Sequence, residues 1–446
     1  MGICDNNDRF GRREAIKRIG SFVAGAAAAP MLSRMPWANA DPPGGKPNVI
    51  VMVADDLGYG DVGCFGSPDI STPNLDAMAA QGVRFAQSYV AVSVCSPARA
   101  SILTGKYPRR TSMPDLAVSN DPESGLSPSD VTLAEVLKKE GYATGAFGKW
   151  HLGYAPKFRP RKQGFDEFYG YLSGWADYET HSYSGSQGSN EKWMFKNDVQ
   201  FDEPGYMTDL LAREARSFID RHQSHPFFLY LPWNAPHGPH VAPDGTRAET
   251  RAVYQAIMSN FDYNIGQVLQ KLTDYSIANN TFVIFISDNG ADGVGSNYPL
   301  TGTKRTVYEG GVRTPFIAKW PAQITAGRVS QEPIISMDIF NTVAKACGAK
   351  IPAGAGVDGK DILNVMKGTA SSPHEYLFFN FGNKYAVRRG KWKLIENTGL
   401  YDLDANPYET IDLRSSQPTI NQELQYKLTQ FKEDYGRRGG YSVDAG

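Results

Sequence analysis

The segment Asn48–Asp56 reads NVIVMVADD, with six apolar residues between an asparagine and a pair of aspartates. A continuous apolar run of this length is typical of a parallel strand that is covered on both faces of its sheet. Similar runs recur along the chain as YATGAF at 142–147, PFFLYL at 226–231, TFVIFIS at 281–287 and TPFIAKW at 314–320. Helical patterns separate these runs, and the alternation predicts an α/β fold with a large, mainly parallel sheet sandwiched by helices.

The helices between these strands are placed by the residues at their ends. Thr72 is the predicted N-cap of one helix, with Pro73 in the first helical position and Gly82 as the residue that ends it. Four further helices are predicted from the spacing of their apolar residues, over Leu133–Lys139, Thr208–Arg221, Thr250–Asp274 and Asp338–Ala346.

Two regions depart from the alternating pattern. Residues 165–205 are rich in tyrosine, tryptophan, glycine and serine, which predicts a long loop or a small hairpin. After Pro373 the apolar residues alternate, which predicts a small antiparallel sheet followed by a closing helix over Thr419–Tyr435. We therefore expect a main domain over 45–370 and a smaller C-terminal subdomain over 371–446.

The N-terminal residues carry a pattern of their own. Arg12, Arg13 and Lys17 precede the apolar stretch SFVAGAAAAPML, and ANA at 38–40 suits a cleavage site. Residues 1–40 therefore resemble a twin-arginine export signal, and a basic N-terminal arm is the alternative. We expect an exported protein that is periplasmic or extracellular.

Composition excludes some classes of partner. The 446 residues are 41% hydrophobic and carry a formal net charge of −1, so neither nucleic acid nor an anionic membrane is expected as the main partner. The chain has no apolar run of about 20 residues, so we expect no transmembrane anchor.

The few cysteines do not form a disulfide scaffold. Beyond Cys4 there are only Cys64, Cys95 and Cys347, and Cys64 and Cys347 could either pair or stay as buried thiols. Cys95 opens the stretch CSPARASILTGKYPRR, in which Pro97 suits the first position of a helix and Gly105 suits its end. A cysteine at a helix N-terminus beside an arginine is expected to have a lowered thiol pKa.

Polar residues follow four of the predicted strands directly. They are Asp55 and Asp56, Lys149 and His151, Asn234 and His237, and Asp288 and Asn289. Ligands of open parallel sheets bind beyond the carboxyl ends of the strands, so we expect these residues to converge on one site.

The two acidic pairs have competing interpretations. An Asp-Asp pair after a strand is often a helix cap or a turn, but two acidic pairs on one sheet indicate a cation site, because adjacent carboxylates repel each other. Oxygen ligands without cysteine or histidine favour calcium or magnesium. We favour calcium over magnesium, because a crowded and flexible set of oxygens suits its larger coordination number.

Basic residues indicate what the cation would help to bind. Lys149, His151, His237 and Lys304, together with Arg99, supply several hydrogen-bond donors around one divalent ion. Individually each has a structural explanation, but together they describe a pocket for a compact oxyanion. The N-terminus of the helix that begins near Ser96 would add backbone N–H groups.

The residues of this pocket lie in motifs of a known family. The chain resembles the type I, formylglycine-dependent sulfatases of the alkaline phosphatase superfamily, in particular the arylsulfatase and N-acetylgalactosamine-6-sulfatase branch. The resemblance covers about 45–435 and rests on Cys95, Pro97 and Arg99 followed by LTGKYP, and on DDLGYGDVGCFG, GKWHLG, APHGPH, SDNG and GTKRTVYEGGVRTP. Thr303-Lys304-Arg305 is a small departure, because relatives often have Gly-Gly-Lys-Gly there.

The resemblance implies a role for each site residue. A maturation enzyme would oxidise Cys95 to formylglycine, whose hydrate attacks the sulfate ester and later collapses to release sulfate. Asp55, Asp56, Asp288, Asn289 and residue 95 would bind calcium. Arg99, Lys149 and His151 would orient and activate the nucleophile, Lys304 would hold a sulfate oxygen, and His237 would protonate the leaving alkoxide.

The substrate itself is only outlined by the sequence. A sulfated carbohydrate or an aryl sulfate is expected, with Trp175, Asp177, Tyr178, His181 and His240 as candidate substrate-binding residues. Trp175 and Tyr178 could equally pack the 165–205 segment onto the domain. A phosphate or phosphonate monoester hydrolase of the same superfamily and an inactive sulfated-glycan-binding protein are the alternative functions.

Overall fold

The centre of the molecule is β1 (Asn48–Asp55), whose eight residues are all buried. The structure, a computed structural model, describes residues 45–114, 116, 121–184, 190–192 and 194–438. The predicted export signal over 1–40 lies outside the described residues. β1 pairs in parallel with two strands that are distant in sequence, so that Val51 lies opposite both Tyr230 and Ile284.

Ten strands form the main sheet in the described part of the chain. In chain order they include β1, β2 (Val83–Phe85), β4 (Ala143–Lys149), β5 (Glu167–Tyr171), β8 (Met194–Lys196), β9 (Val199–Gln200), β10 (Phe227–Pro236), β11 (Thr281–Ser287), β12 (Phe316–Lys319) and β13 (Arg328–Ser330). Their spatial order is β13-β2-β12-β11-β1-β10-β4-β5-β8-β9. The five central strands from β11 to β5 are parallel, which confirms the predicted mainly parallel sheet.

Alternate residues of β1 face two different hydrophobic cores. Ile50 and Met52 pack in one core, whereas Val49, Val51 and Val53 pack in the other. Helices cover both faces, because the side chains of each strand leave the sheet in opposite directions.

The described helices are α1 (Pro73–Ala80), α2 (Cys95–Thr104), α3 (Leu133–Lys139), α4 (Met207–His222), α5 (Arg251–Asp274), α6 (Glu309–Val312), α7 (Asp338–Ala346), α8 (Leu363–Lys367) and α9 (Pro418–Arg438). The first core takes side chains from α1, α4 and α5, and the second takes side chains from α2, α3, α7 and α8. These helices form the two outer layers of the predicted sandwich.

Three local predictions are wrong. α2 begins at Cys95, so Pro97 is its third residue and not its first. Gly82 does not end α1; a Cβ at this position would lie 2.1 Å from the backbone oxygen of Ala318 in β12, so close strand packing explains the glycine. The strand predicted over 314–320 is β12, and it runs antiparallel to β11 rather than parallel.

The segment over 165–205 is only partly a loop or hairpin. It begins with β5, the last parallel strand of the sheet, and continues through the hairpin of β6 (Ser182–Ser184) and β7 (Asn190–Lys192). β8 and β9 then extend the sheet edge in antiparallel fashion. A short apolar strand in an aromatic and glycine-rich stretch lacks the long apolar run that marks the other parallel strands.

The C-terminal region contains the predicted antiparallel sheet. β15 (Leu377–Phe381), β16 (Lys384–Arg389), β17 (Trp392–Ile395) and β18 (Gly399–Asp402) pair in this order, and Leu424 and Leu428 of α9 pack on them. The small strands β3 (Ser88–Tyr89) and β14 (Ile334–Ile335) pair with each other. No described helix has the length and apolar character needed to cross a membrane.

Cys64 and Cys347 are both free thiols. Cys64 packs beside the first core and Cys347 lies in the second, so the main sheet separates them. Of the two alternatives that the sequence allows, the structure has the unpaired thiols.

Candidate active site

Four strand ends and one helix start bring the predicted polar residues together. Asp55 ends β1 and Lys149 ends β4, while Asp288 and His237 directly follow β11 and β10, and Cys95 opens α2. All five lie at the carboxyl edge of the parallel strands, where the topology of such sheets places ligand sites. Asn234 lies within β10, because this strand is longer than predicted, and its amide oxygen accepts a hydrogen bond from Thr208.

Asp55 is fully buried between two cations. The Nζ atom of Lys149 donates to both carboxylate oxygens at 2.8 Å, and Nη2 of Arg99 lies 3.2 Å from Oδ1. A buried carboxylate needs such compensation, because desolvation of an unpaired charge costs several kcal/mol.

Asp56 bridges to a different part of the chain. Its Oδ2 accepts a hydrogen bond from Nζ of Lys304 at 2.6 Å and lies 3.5 Å from Nε2 of His237, and its Oδ1 accepts from the amide of Asn289 at 2.7 Å. Burial would raise the pKa of Asp56, but its interaction with the His237 ring and the positive charges of Lys304 and Lys149 outweigh this effect and hold the pKa below its usual value. The carboxylate is therefore ionised.

Arg99 and Asp288 form the deepest ion pair of the site. Nε and Nη2 of Arg99 donate to Oδ2 of Asp288 at 2.9 and 2.7 Å, and both side chains are fully buried. Nη1 of Arg99 donates to the backbone carbonyl of Lys149 at 3.1 Å. Burial raises the pKa of Asp288 although Arg99 opposes this effect. This pair fixes the orientation of α2 against β11.

Cys95 lies next to the two carboxylates of β1. Its Sγ is 3.8 Å from Oδ1 of Asp55 and 3.9 Å from Oδ1 of Asp56. Burial raises the pKa of the thiol to about 11, although Lys149 and Lys304 act in the opposite direction. The expected low-pKa thiolate is therefore wrong, because desolvation outweighs the helix N-terminus and the nearby cations.

The two histidines of the site are both neutral. Burial and the positive charges of Lys149 and Lys304 lower the pKa of His237 to about 3. Burial, Lys149 and Arg99 likewise lower the pKa of His151 well below its ordinary value. Nδ1 of His237 donates to the carbonyl of Gly238, so Nε2 presents a lone pair to the pocket. Protonation of a leaving group by this ring therefore requires that Nε2 first gain a proton.

The donor set fits a metal ion. Ligand atoms of Asp55, Asp56, Cys95 and His237 all lie within 4.8 Å of one another. Oδ1 of Asn289 is buried and has no hydrogen-bond partner in the described part of the chain, so this oxygen is available to a cation bound beside Asp56. His237 is the member of this group that the sequence prediction did not assign to a metal.

The charges of the buried site cancel. The site contains three carboxylates, of Asp55, Asp56 and Asp288. Their charges are balanced by three cations, Arg99, Lys149 and Lys304. Two of the predicted catalytic and metal-binding residues also have left-handed backbones, at φ 62° for Asp56 and 52° for His151. Non-glycine residues in this conformation are strained and are concentrated at functional sites.

The five predicted substrate-binding residues are mostly engaged in contacts within the protein. The side chain of Tyr178 is 1% exposed; its hydroxyl donates to the carbonyl of His237 at 3.0 Å and its ring stacks on Tyr206. His181, which is also 1% exposed, lies with Nε2 2.9 Å from the carbonyl of Gly205.

Asp177, His240 and Trp175 complete this set. Asp177 forms an ion pair with Arg247, and both ring nitrogens of His240 lie near acceptors, namely Glu249 and the carbonyl of Pro236. His240 lines the open cavity of the site, and Trp175 is half-buried. These two are therefore placed differently from the enclosed Tyr178 and His181.

The site opens into a cavity of about 270 Å³. Its wall includes Asp56, His237 and Lys304 at the base and Glu249, Asp292 and Arg305 toward the rim. The sequence prediction missed these three rim residues. The only sequence signal was that Arg305 follows Lys304 directly, since Glu249 and Asp292 lie in loops without a recognisable pattern.

Comparison with known proteins identifies the family. Residues 47–349 match the Sulfatase model, and residues 302–434 match the N-sulphoglucosamine sulphohydrolase, C-terminal model. The chain is 35% identical over 373 residues to N-acetylgalactosamine-6-sulfatase of Sus scrofa, covering 78% of this chain and 71% of that protein. It is 34% identical over 423 residues to arylsulfatase A of Homo sapiens, covering 85% and 81%.

Solved structures share the fold. The crystal structure of Ps i-CgsB superposes with a TM-score of 0.83 at 30% identity, covering 90% of this chain and 95% of that one. The PsFucS1 sulfatase from Pseudoalteromonas sp. has a TM-score of 0.76 at 24% identity, covering 90% and 92%. With the buried ion-paired site, these matches show that the chain belongs to the type I sulfatases of the alkaline phosphatase superfamily and is a sulfuric ester hydrolase.

Proposed function

We propose that this sulfatase hydrolyses the sulfate esters of a carbohydrate, with residue 95 as the source of the nucleophile and a divalent ion beside it. The observation that carries the proposal is the buried set of three carboxylates and three cations around Cys95. A compact anion that enters this set is met by donors from three separate parts of the chain. The geometry suits a tetrahedral oxyanion better than an extended ligand.

The side chains around Cys95 have separable tasks. Lys149 and Arg99 approach the same carboxylate from two sides and fix the position of Asp55 relative to residue 95. Lys304 borders the cavity and can donate to an oxygen of the ester. His237 lines the same wall, and we assign to its Nε2 the transfer of a proton to the leaving alkoxide, a proton that the neutral ring must first take up. His151 is packed so closely that a Cβ at Gly174 would lie 2.8 Å from its ring.

Residue 95 would act after conversion of its thiol to formylglycine by a maturation enzyme. The raised pKa supports this proposal, because a protonated and buried thiol is a poor nucleophile. The hydrated aldehyde supplies one hydroxyl for attack and a second for the release of sulfate. Arg99 and Lys149 would hold this group in place beside Asp55.

The divalent ion would be held by Asp55, Asp56, Asp288, Asn289 and residue 95. When bound, it lowers the pKa of a neighbouring hydroxyl and reduces the repulsion between nucleophile and ester. The unpartnered Oδ1 of Asn289 and the oxygen-rich donor set support calcium before magnesium.

A glycan substrate is supported by the relatives. N-acetylgalactosamine-6-sulfatase is named for a sulfated sugar, and Ps i-CgsB has been crystallised with k-i-k-neocarrahexaose. Trp175 and His240 remain our candidates for sugar contacts, because Trp175 is half-buried and His240 lines the cavity. We also propose export through the twin-arginine pattern of residues 1–40, which would carry the folded and already converted enzyme.

The test compares a sulfate with a phosphate ester of the same alcohol. The six buried charges of the protein sum to zero. A divalent metal ion adds two positive charges, which balance one negative charge on the nucleophile and one on the sulfate ester. The second charge of a phosphate monoester has no such counterpart. With protein produced together with the maturation enzyme, we expect kcat/KM for 4-nitrophenyl sulfate to exceed that for 4-nitrophenyl phosphate by about 100-fold or more.

Cys95→Ala is the matched control for this test and should abolish the turnover of both esters. A preference for the phosphate ester in the converted protein would replace the proposal with a phosphate monoester hydrolase. Binding of sulfated sugars without turnover by fully converted protein would favour the glycan-binding alternative.

A further inference from the structure

The rim of the active-site cavity carries an ion pair that none of the assigned roles uses. Nη1 of Arg305 donates to Oδ2 of Asp292 at 2.8 Å, and the two side chains are 51% and 47% exposed. Both residues line the cavity that has Lys304 and His237 at its base. The pair therefore lies one residue beyond the lysine that faces the ester, on the path by which a substrate enters.

The backbone at Arg305 is unusual for an arginine. Its φ is 66°, in the left-handed region that favours glycine. Its N–H donates to the carbonyl of Ser93 at 2.9 Å, which ties this turn to the segment that leads into Cys95. A half-exposed ion pair is screened by water, so it contributes little to the free energy of unfolding. This contribution is smaller than the free energy cost of placing a residue such as arginine in the left-handed conformation. Stability alone thus does not explain an arginine here.

The pair has the hydrogen-bonding character of a sugar-binding fork. The guanidinium offers several donors in one plane, and the carboxylate offers acceptors beside it, so that adjacent hydroxyl groups of a ring can contact both. A water-exposed ion pair opens at small cost, which leaves both partners available to a ligand.

The rest of the rim is acidic. Glu249 also lines the cavity with a side chain that is 64% exposed, and it accepts hydrogen bonds from the backbone N–H and the ring of His240. A second anionic group next to the scissile sulfate would therefore meet two carboxylates and one guanidinium. This arrangement disfavours a second charge and favours hydroxyl groups.

We infer that Arg305 and Asp292 bind the hydroxyl groups of the sugar that carries the scissile sulfate, and that they select rings without a second anionic substituent beside it. The inference rests on the proposed function, since it concerns the substrate of the same site. Arg305 would donate to ring hydroxyls, and Asp292 would accept from them.

The test measures kcat/KM for 4-nitrophenyl sulfate and for the 2-, 3-, 4- and 6-monosulfates of galactose and N-acetylgalactosamine. Arg305→Gly removes the guanidinium and relaxes the backbone, and Arg305→Asn removes it while keeping a residue that tolerates the left-handed region. We expect each variant to lose about ten times more activity on the preferred sugar sulfate than on the aryl sulfate, which has no ring hydroxyls. A disulfated form of the preferred sugar should have a lower kcat/KM than the monosulfated form. Asp292→Asn should reduce this difference in kcat/KM between the two sugars.

A matched pair elsewhere on the surface supplies the control. Arg161 and Asp198 are 43% and 44% exposed and form an ion pair at 2.6 Å, outside the cavity wall. Arg161→Ala should leave both activities at the wild-type level. Equal losses of kcat/KM on aryl and sugar sulfates in the Arg305 variants would overturn the inference. It would also be overturned if the wild-type enzyme hydrolysed the aryl sulfate but none of the sugar sulfates. If the wild-type enzyme hydrolysed no sulfate ester at all, the proposed function itself would be overturned.

Discussion

Asp288 connects three elements of the site through its two carboxylate oxygens. Oδ2 accepts both hydrogen bonds from Arg99 of α2, and Oδ1 accepts from the backbone N–H of Asp56, which follows β1. The side chain is completely buried. Loss of its charge would leave Arg99 partly uncompensated in a low-dielectric interior, which is a severe form of destabilisation.

We expect Asp288→Asn to lose bound metal and activity together. The amide keeps the shape of the carboxylate but not its charge, so the oxygen ligands are weakened and Arg99 is no longer held. Bound calcium, measured by atomic emission, should fall well below one ion per chain, and kcat/KM should fall about 100-fold or more.

Asp262 provides a control of the same residue type. It is buried and accepts hydrogen bonds from the backbone N–H groups of Asn74 and Leu75 at the start of α1, away from the cavity wall. Asp262→Asn should lower the melting temperature while metal content and kcat stay at the wild-type level. Full metal occupancy in Asp288→Asn would contradict the ligand assignment.

At the scale of elements, β17 supports the loop that carries Lys304. Nζ of Lys393 in β17 lies 2.8 Å from a carboxylate oxygen of Glu309 at the start of α6 and 2.8 Å from one of Glu409, and all three side chains are buried. Glu409 also accepts a hydrogen bond from the backbone N–H of Glu309. The small antiparallel sheet is thereby connected to the active-site loop through one buried lysine.

Glu409 makes part of the stability depend on pH. Burial raises its pKa from 4.5 to about 7, although Lys393 opposes this effect. Between these two pKa values the folded protein keeps a proton on Glu409 that the unfolded chain has released. The contribution of this residue to the free energy of unfolding is therefore fully present below pH 4.5 and is lost as the pH rises through 7. Glu309, with a pKa lowered to about 2, affects stability only below that window.

We expect Glu409→Gln to flatten the decrease in melting temperature between pH 5 and pH 7.5. Lys393→Met should steepen it, because both carboxylates then lose their cation and their ionisation becomes more costly. Calorimetry of the three proteins at these two pH values checks both directions. A wild-type slope in both variants would show that Glu409 does not titrate in this range.

At the scale of the whole molecule, the sequence predicted the parts that local patterns determine. Long apolar runs such as that of β11 are unambiguous, and the polar residues after them converge because parallel strands end at one edge. The direction of β12 and the place of β5 were not predictable, because pairing partners are distant in sequence and a short run carries no sign of direction.

The electrostatic state of the site depends on the folded whole. The thiol pKa of Cys95 could not be predicted from the adjacent residues, because it depends on burial among residues that are distant in sequence. In the same way the sequence left open whether Tyr178 binds substrate or packs onto the domain, and the structure encloses it against Tyr206. Tertiary packing determines these properties, and local patterns do not encode it.

The central claim is that residue 95 acts as formylglycine within this buried set of charges. The most direct measurement compares kcat for 4-nitrophenyl sulfate with the fraction of residue 95 that mass spectrometry finds converted, across preparations made with different amounts of the maturation enzyme. We predict a proportional relation that passes through zero, with Cys95→Ala inactive at any level of that enzyme. Turnover that is independent of conversion, or undiminished in Cys95→Ala, would contradict the account.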